Sequence, residues 1–316
     1  MDVRVLGYFL AVMEEGSFSA AAARCMVAQP SLSRQIAGLE RELGERLFIR
    51  GRDGATLTDA GATLLPYARS AVAAVTHARD AFAERTGLLT GTLRIGVVCG
   101  TANTTLPASV AALHHAHPGV HITLIEGASR PLINAVRARE LDAAVAVAEA
   151  EPLPEDLTGV TLMTDEVVAT ATPQFFTDHA DASGALSWEW LADQSIISYT
   201  PESALTYLID ATKDTAIHLK MLCQTNDPLL HAALARQGIG VALTAASMLP
   251  TAPPTDLEIR HFTPPLNFRK RLIWRHDTAP SPPLRALLNY ITTGISTARP
   301  GQAHVRQVAG ERAAQN

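Results

Sequence analysis

The most telling side chains of this chain are suited to holding anions rather than to breaking bonds. In the segment SFSAAAARCMVAQPSLSRQIAGLERELG, Ser17 to Gly44, a helical wheel puts Leu32, Ile36, Leu39 and Leu43 within an arc of about 60°, so all four are expected to face a core. The opposite face then carries Pro30, Ser33, Arg34, Ala37, Gly38 and Arg41. Two guanidiniums among small side chains let phosphates approach closely. Gln29, Ser33 and Arg34, at the amino end of that helix, are within reach of base edges or phosphates, with the helix dipole adding attraction.

Bond-breaking chemistry finds no comparable support. Neither G-x-S-x-G nor H-E-x-x-H occurs, and Gly238-Ile239-Gly240 is too short for a nucleotide fingerprint, so no catalytic set and no cofactor is expected. His114, His115 and His117 lack the i, i+4 spacing of a helical metal pair, and solvated histidines are the expectation. Cys25, Cys99 and Cys223 form no close pair, which excludes a disulfide framework and points to reduced cytosol. Cys99 precedes a helix, where a thiol can acidify, although a buried free thiol is the commoner state. The first residues, MDVRVLGYFLAVMEEGS, have no basic start and no small-residue cleavage site, so no signal peptide is expected and the location read is cytoplasmic.

The elements that would position these residues divide the chain. Its 316 residues are 47% apolar and 18% charged, which fits two or three compact units, and no run approaches the roughly 18 apolar residues of a membrane span. Residues 1–90 hold 10 Arg against 10 acids, whereas 91–316 hold 16 bases against 21 acids, so a nucleic-acid site has to be local. Leu6, Phe9, Leu10 and Met13 recur at helical spacing, as do Phe18, Ala21, Ala22 and Cys25 after Gly16-Ser17. A third helix starts at Gln29-Pro30 and stops at Gly44. Thr58 is the N-cap expected for a fourth, with a stripe of Leu65, Ala68, Val72, Val75 and Phe82. Beyond Gly91, short apolar runs alternate with helical ones: strands at 92–98, 120–126 and 141–146, then 166–171, 195–199, 217–225 and 239–244. This predicts βαβ units and a parallel sheet.

The spacing of Leu6, Phe9, Ser17-Phe18, Ala21-Ala22, Gln29-Pro30, Ser33, Ile36, Leu39-Glu40, Leu43-Gly44, Leu47-Phe48, Arg50, Leu57-Thr58 and Gly61 resembles that of the LysR-type transcriptional regulators. Two departures stand out. Cys25 replaces the family's Leu, and Ala28 replaces a capping Ser or Thr, at a cost of about 1 kcal/mol. The resemblance implies an α/β protein with a winged helix-turn-helix DNA-binding domain over 1–58, a linker and dimerisation helix over 59–90, and an effector domain over 91–296. The effector domain would be of the two-lobed periplasmic-binding-protein type, with lobe I at about 91–163 and 263–296 and lobe II at about 164–262. Residues 297–316 would be a flexible tail. The implied DNA-contacting set is Gln29, Pro30, Ser31, Ser33, Arg34, Arg41, Arg50 and Arg52, the last two on a wing between Phe48 and Thr58. The implied partners are double-stranded DNA, a small-molecule effector and a second copy paired through Leu65, Ala68, Val72, Val75 and Phe82, with a tetramer as the family's usual assembly. No membrane partner is implied.

In such two-lobed folds, ligands sit where strand ends meet helix starts. That rule selects Cys99, Gly100 and Thr101 after the first strand, with free backbone N–H groups and the Thr101 hydroxyl expected to point into the cleft. It also selects Ser129 after the second strand, and Tyr199, Thr200, Pro201, Thr225 and Asn226 from the other lobe. An organic anion would suit them. Crossings between lobes are expected near Met163–Glu166 and Leu257–Phe262. The function implied is an effector-responsive, sequence-specific regulator of transcription. The alternative is a soluble small-molecule binding protein or an enzyme on the same two-lobed fold, with the N-terminal bundle serving assembly.

Overall fold

A computed structural model describes residues 1–51, 54–84, 89–148, 152–176, 184–212, 218–249 and 256–297. Arg52 and the stretch 298–316 therefore lie outside the described residues.

Local signals set the first four helices. The Asp2 carboxylate accepts from Arg4 N at 2.8 Å to start α1 (Val3–Glu15), which ends on Gly16 at φ +61°. Ser17 caps α2 (Phe18–Arg24). Ala28 supplies no side-chain cap to α3 (Gln29–Leu43), where Pro30 stands in the first turn and Gly44, at φ +77°, terminates the helix. A hairpin follows, β1 (Phe48–Gly51) antiparallel to β2 (Gly54–Leu57). Thr58 Oγ1 then accepts from Gly61 N at 3.0 Å and opens α4 (Asp59–Glu84).

Phe9, Ala21, Leu32, Ile36, Leu39 and Phe48 form one buried core, with the Phe9 and Phe18 rings 5.3 and 5.5 Å from Phe48. Leu43 does not join it. It is 42% exposed at the last residue of α3, one turn past Leu39. Two glycines let backbones touch: a Cβ on Gly54 would lie 2.4 Å from Gly16 O, and one on Gly61 would lie 2.3 Å from Leu47 O. The wing is seated by the first of these approaches, with Ala55 N donating to Gly16 O at 2.7 Å.

The apolar stripe of α4 is partly spent within its own domain. Ala68 is fully buried, and Leu65 and Val72 pack on the same core, because the first turns of α4 lie along α1. The expectation that Ala68 awaits a partner is corrected accordingly, while Leu65 and Val72 stay half-buried. Val75 is half-buried, and Phe82, at 70% exposure, is left open.

The remaining chain builds one sheet in the order β4 (Val120–Glu126), β3 (Gly91–Val97), β5 (Ala143–Val147), β13 (Leu266–Arg275), β6 (Leu157–Ala171), β10 (Val241–Ala245), β8 (Ser195–Ser198), β9 (Lys220–Gln224), with β11 (Glu258–Arg260) beside β6. A small parallel pair, β7 (Leu186–Ser187) and β12 (Phe262–Thr263), stands apart. Helices α5 (Leu106–Ala116) and α9 (Pro282–Thr297) cover one face of the first lobe and α6 (Ser129–Arg137) the other; α7 (Ala204–Thr212) and α8 (Pro228–Arg236) belong to the second lobe. All five residues of β5 are buried, Ala143 and Val145 toward α5 and α9, Ala144 and Ala146 toward α6, as a strand covered on both faces requires.

Two expectations need correction. The outer pairs β3–β4, β3–β5, β8–β9 and β8–β10 are parallel, but β13 runs antiparallel to both β5 and β6, so the sheet is mixed. The return crossing also lies in β13 rather than at Leu257–Phe262. Strand β6 spans 15 residues, and β13 pairs along it from Leu266↔Val167 to Arg275↔Leu157, with a register shift between Lys270 and Arg271. Long paired strands therefore carry the chain between lobes in both directions.

Candidate functional site

Two surfaces gather the residues singled out by sequence. On α3, Gln29, Pro30, Ser31, Arg34 and Arg41 are exposed and Ser33 is half-buried. Arg34 Nε donates to Pro30 O and Arg41 Nε to Ala37 O, both at 3.3 Å, so each guanidinium lies along the helix and meets no carboxylate among the described residues. The first turn has no acid and no side-chain cap, which leaves the N–H dipoles of an exposed amino end for an external anion.

Arg50 is held differently. Its guanidinium lies 4.2 Å over the Phe18 ring, donates to Ser33 Oγ at 3.1 Å and stands 3.8 Å from Glu40. The other carboxylate oxygen of Glu40 accepts from Leu47 N at 2.9 Å. Glu40 thus ties helix to wing, a role hidden from the helical wheel, on which it simply projects sideways.

The second surface is a cavity of about 390 Å³ between the lobes, in the range of small-molecule sites. Of the predicted residues, Cys99, Ser129, Tyr199 and Asn226 line it. Ser129 Oγ accepts from Val147 N at 3.1 Å, leaving its proton for another acceptor. Tyr199 OH accepts from Ala245 N at 3.1 Å and lies 3.3 Å from Thr244 Oγ1; burial pushes this phenol up and keeps it neutral. Burial likewise pushes the Cys99 thiol up, and nearby Lys270 opposes this only in part, so the site gives no support to the acidified thiol considered from sequence.

Thr101 turns away from the cavity, its hydroxyl donating to Val98 O at 2.6 Å and its N–H to the same carbonyl at 3.2 Å. The tight turn after Gly100 consumes these donors, which corrects the expectation that they face the cleft. Gly100 stands behind the wall: at φ +76°, a Cβ there would lie 2.3 Å from Met248 Sδ and 2.5 Å from Lys270 Nζ. Thr200, Pro201 and Thr225 do not line the cavity. The Thr200 hydroxyl is taken by Asn226 Nδ2 at 2.9 Å, and that of Thr225 caps Asp227 N at 3.2 Å.

Sequence reasoning missed Lys270, Glu126, Leu205 and Met248, all on the cavity wall. Lys270 had a legible signal. Along β13, Leu266, Phe268, Lys270 and Leu272 are buried in alternation, so a lysine occupies an inward position of a period-two pattern. The residue is 2% exposed, and its ammonium donates to Gly100 O at 3.2 Å and stands 4.0 Å from Asp165. Desolvation lowers its pKa, and Asp165 compensates in part. Asp165 is itself satisfied by Ser247 Oγ at 2.5 Å, Ser247 N at 3.1 Å and Glu166 N at 2.9 Å. The lobes also touch where Asn103 Nδ2 donates to Ser247 O at 2.7 Å. Among the described residues no cluster of His, Cys, Asp or Glu fits a metal ion, and no helix is long and apolar enough to cross a membrane.

Comparison with known proteins finds a match for each half of the chain. Residues 3–62 match the family of bacterial regulatory helix-turn-helix proteins of the lysR type, and residues 86–295 match the LysR substrate binding domain. The chain is 30% identical over 280 residues to the HTH-type transcriptional regulator ShiR of Corynebacterium glutamicum, covering 87% of this chain and 92% of that protein. In fold it is similar to a full-length OxyR variant of Pseudomonas aeruginosa, with TM-score 0.73, 22% identity, and 92% and 94% of the two chains covered. CbnR solved with its target DNA gives TM-score 0.60 at 20% identity, over 93% and 99%. A chain matched by one family profile over its helix-turn-helix and by another over its two-lobed half belongs to the LysR family of bacterial transcriptional regulators.

Proposed function

We propose that this protein is a sequence-specific regulator, acting in the cytoplasm by binding and not by catalysis, whose grip on DNA responds to a small organic anion held between its lobes. The observation that carries the reading is Lys270: a buried ammonium that, among the described residues, has one hydrogen bond and a carboxylate no nearer than 4.0 Å, on the wall of a cavity of about 390 Å³. Buried charges are ordinarily paired and fully hydrogen-bonded, and an anionic ligand would complete this one. Cys99, Ser129, Tyr199 and Asn226 line the same space.

On the other surface, Gln29, Pro30, Ser31, Ser33, Arg34 and Arg41 are assigned to the major groove, and Arg50 to the phosphates beside the wing. That CbnR has been solved on its target DNA supports the use of this fold in this way. The first 90 residues carry no net charge, so one copy engages few phosphates, and pairing through the open end of α4, including Phe82, is assigned to gather more. Effector binding acts through its differential affinity for two lobe arrangements, joined by β6 and β13.

The test combines a thermal-shift screen of organic acids with mobility shifts on the protein's own upstream DNA. Lys270→Met is expected to abolish the response to any acid found while leaving basal DNA binding intact. A variant that responds like the wild type would end this reading.

A further inference from the structure

The charges around the cleft carry the chemistry of its ligand further. Among the described residues, the cavity wall holds two ionisable side chains of fixed sign, Lys270 and Glu126. Around Val147 the anion-holding groups converge. Lys270 is its register partner on β13, both side chains line the cavity, and Ser129 Oγ is bonded to Val147 N. Helix α6 opens at Ser129 with no side-chain cap, so its amino end adds to the attraction for negative charge. The remaining wall is largely hydrocarbon: Val98, Val147, Leu205, Ala245 and Met248. Glu126, exposed, ends β4 beside Gly127 and Ala128, and no second cation faces it from the wall.

We infer that the ligand is a monocarboxylate with an apolar body, its carboxylate on Lys270 and Ser129, and that Glu126 excludes a second negative charge. The inference rests on the cleft being the effector site proposed above. One carboxylate completes the one cation on the wall, whose own carboxylate neighbour, Asp165, stands 4.0 Å away and is held by Ser247 and by Glu166 N. A dicarboxylate of the same skeleton brings a charge that must lie against hydrocarbon or against Glu126, and neither repays its lost hydration.

Matched pairs isolate the effect: hexanoate against adipate, and benzoate against terephthalate, each titrated calorimetrically into the full-length protein. The monocarboxylate of at least one pair is expected to bind, with its dicarboxylate weaker by about tenfold or more. Glu126→Gln is expected to bring that ratio toward one without weakening the monocarboxylate. Equal or tighter dicarboxylate binding, a ratio unmoved in Glu126→Gln, or no binding by either monocarboxylate overturns the inference. Lys270→Met, checked for folding by circular dichroism and retained DNA binding, separates the two levels. If it binds the monocarboxylates as the wild type does, the cleft reading itself fails. If binding is abolished but the mono-to-di ratio was wrong in the wild type, only the ligand class fails.

Discussion

Arg34→Ala is the sharpest perturbation of the proposed DNA surface, because the structure separates its effect on binding from any effect on folding. The side chain is exposed, its Nε bonds to its own helix at 3.3 Å, and it has no carboxylate partner among the described residues. Truncation should change stability by no more than about 0.5 kcal/mol. If the guanidinium reads a base edge, its removal costs about 1–3 kcal/mol per half-site, or roughly five- to 150-fold in affinity, on cognate sequence only. A guanidinium that instead neutralises a phosphate would, on removal, weaken binding to every duplex alike and reduce the salt slope by about 0.9. Fluorescence anisotropy on the upstream fragment and on a shuffled duplex, across about 50–200 mM salt, distinguishes these outcomes. Arg50→Ala is the internal control. It gives up the Phe18 stacking, worth about 0.5–1 kcal/mol, and the Ser33 bond, so its unfolding midpoint should fall and both duplexes should suffer equally. Equal weakening on both duplexes for Arg34→Ala would refute its assignment to base reading.

Gly61→Ala must force a Cβ to within 2.3 Å of Leu47 O, where backbone has to move, so the DNA-binding domain should lose about 2 kcal/mol or more, read as a lower midpoint in calorimetry. His231 supplies a pH dependence. Its Nε2 donates to the carbonyls of Thr225 at 2.8 Å and Ser198 at 3.1 Å, while Nδ1 is buried without a partner among the described residues. Burial holds its pKa below the ordinary 6.5, so the unfolded chain binds a proton that the native one refuses. Stability should therefore decline as pH falls below about 6.5, with a slope of at most about 1.4 kcal/mol per pH unit. Denaturant titrations of His231→Gln should show a flatter acid limb, and an identical limb would remove His231 from the account.

Much of this protein was written locally. The ends of α1, α2, α3 and α4 follow from Asp2, Gly16, Ser17, Gly44 and Thr58, because a cap acts within a turn of its own residue. The face bearing Arg34 and Arg41 follows from the leucines behind it, since helical period fixes which side chains oppose one another. Period is silent on how far a neighbour extends, which is why Leu43 reads as core yet is exposed, and why Ala68 reads as part of a free seam yet is buried in its own domain. The cleft was legible only at its strand ends. Cys99, Ser129 and Tyr199 sit where topology puts them, but Thr101 spends its hydroxyl on a turn that no pattern announced. Strand pairing alone brought Lys270 to Val147 and Ser129, residues far apart in the chain. Alternation marked Lys270 as inward-facing, and only the antiparallel register of β13 against β5 decided which wall it would share.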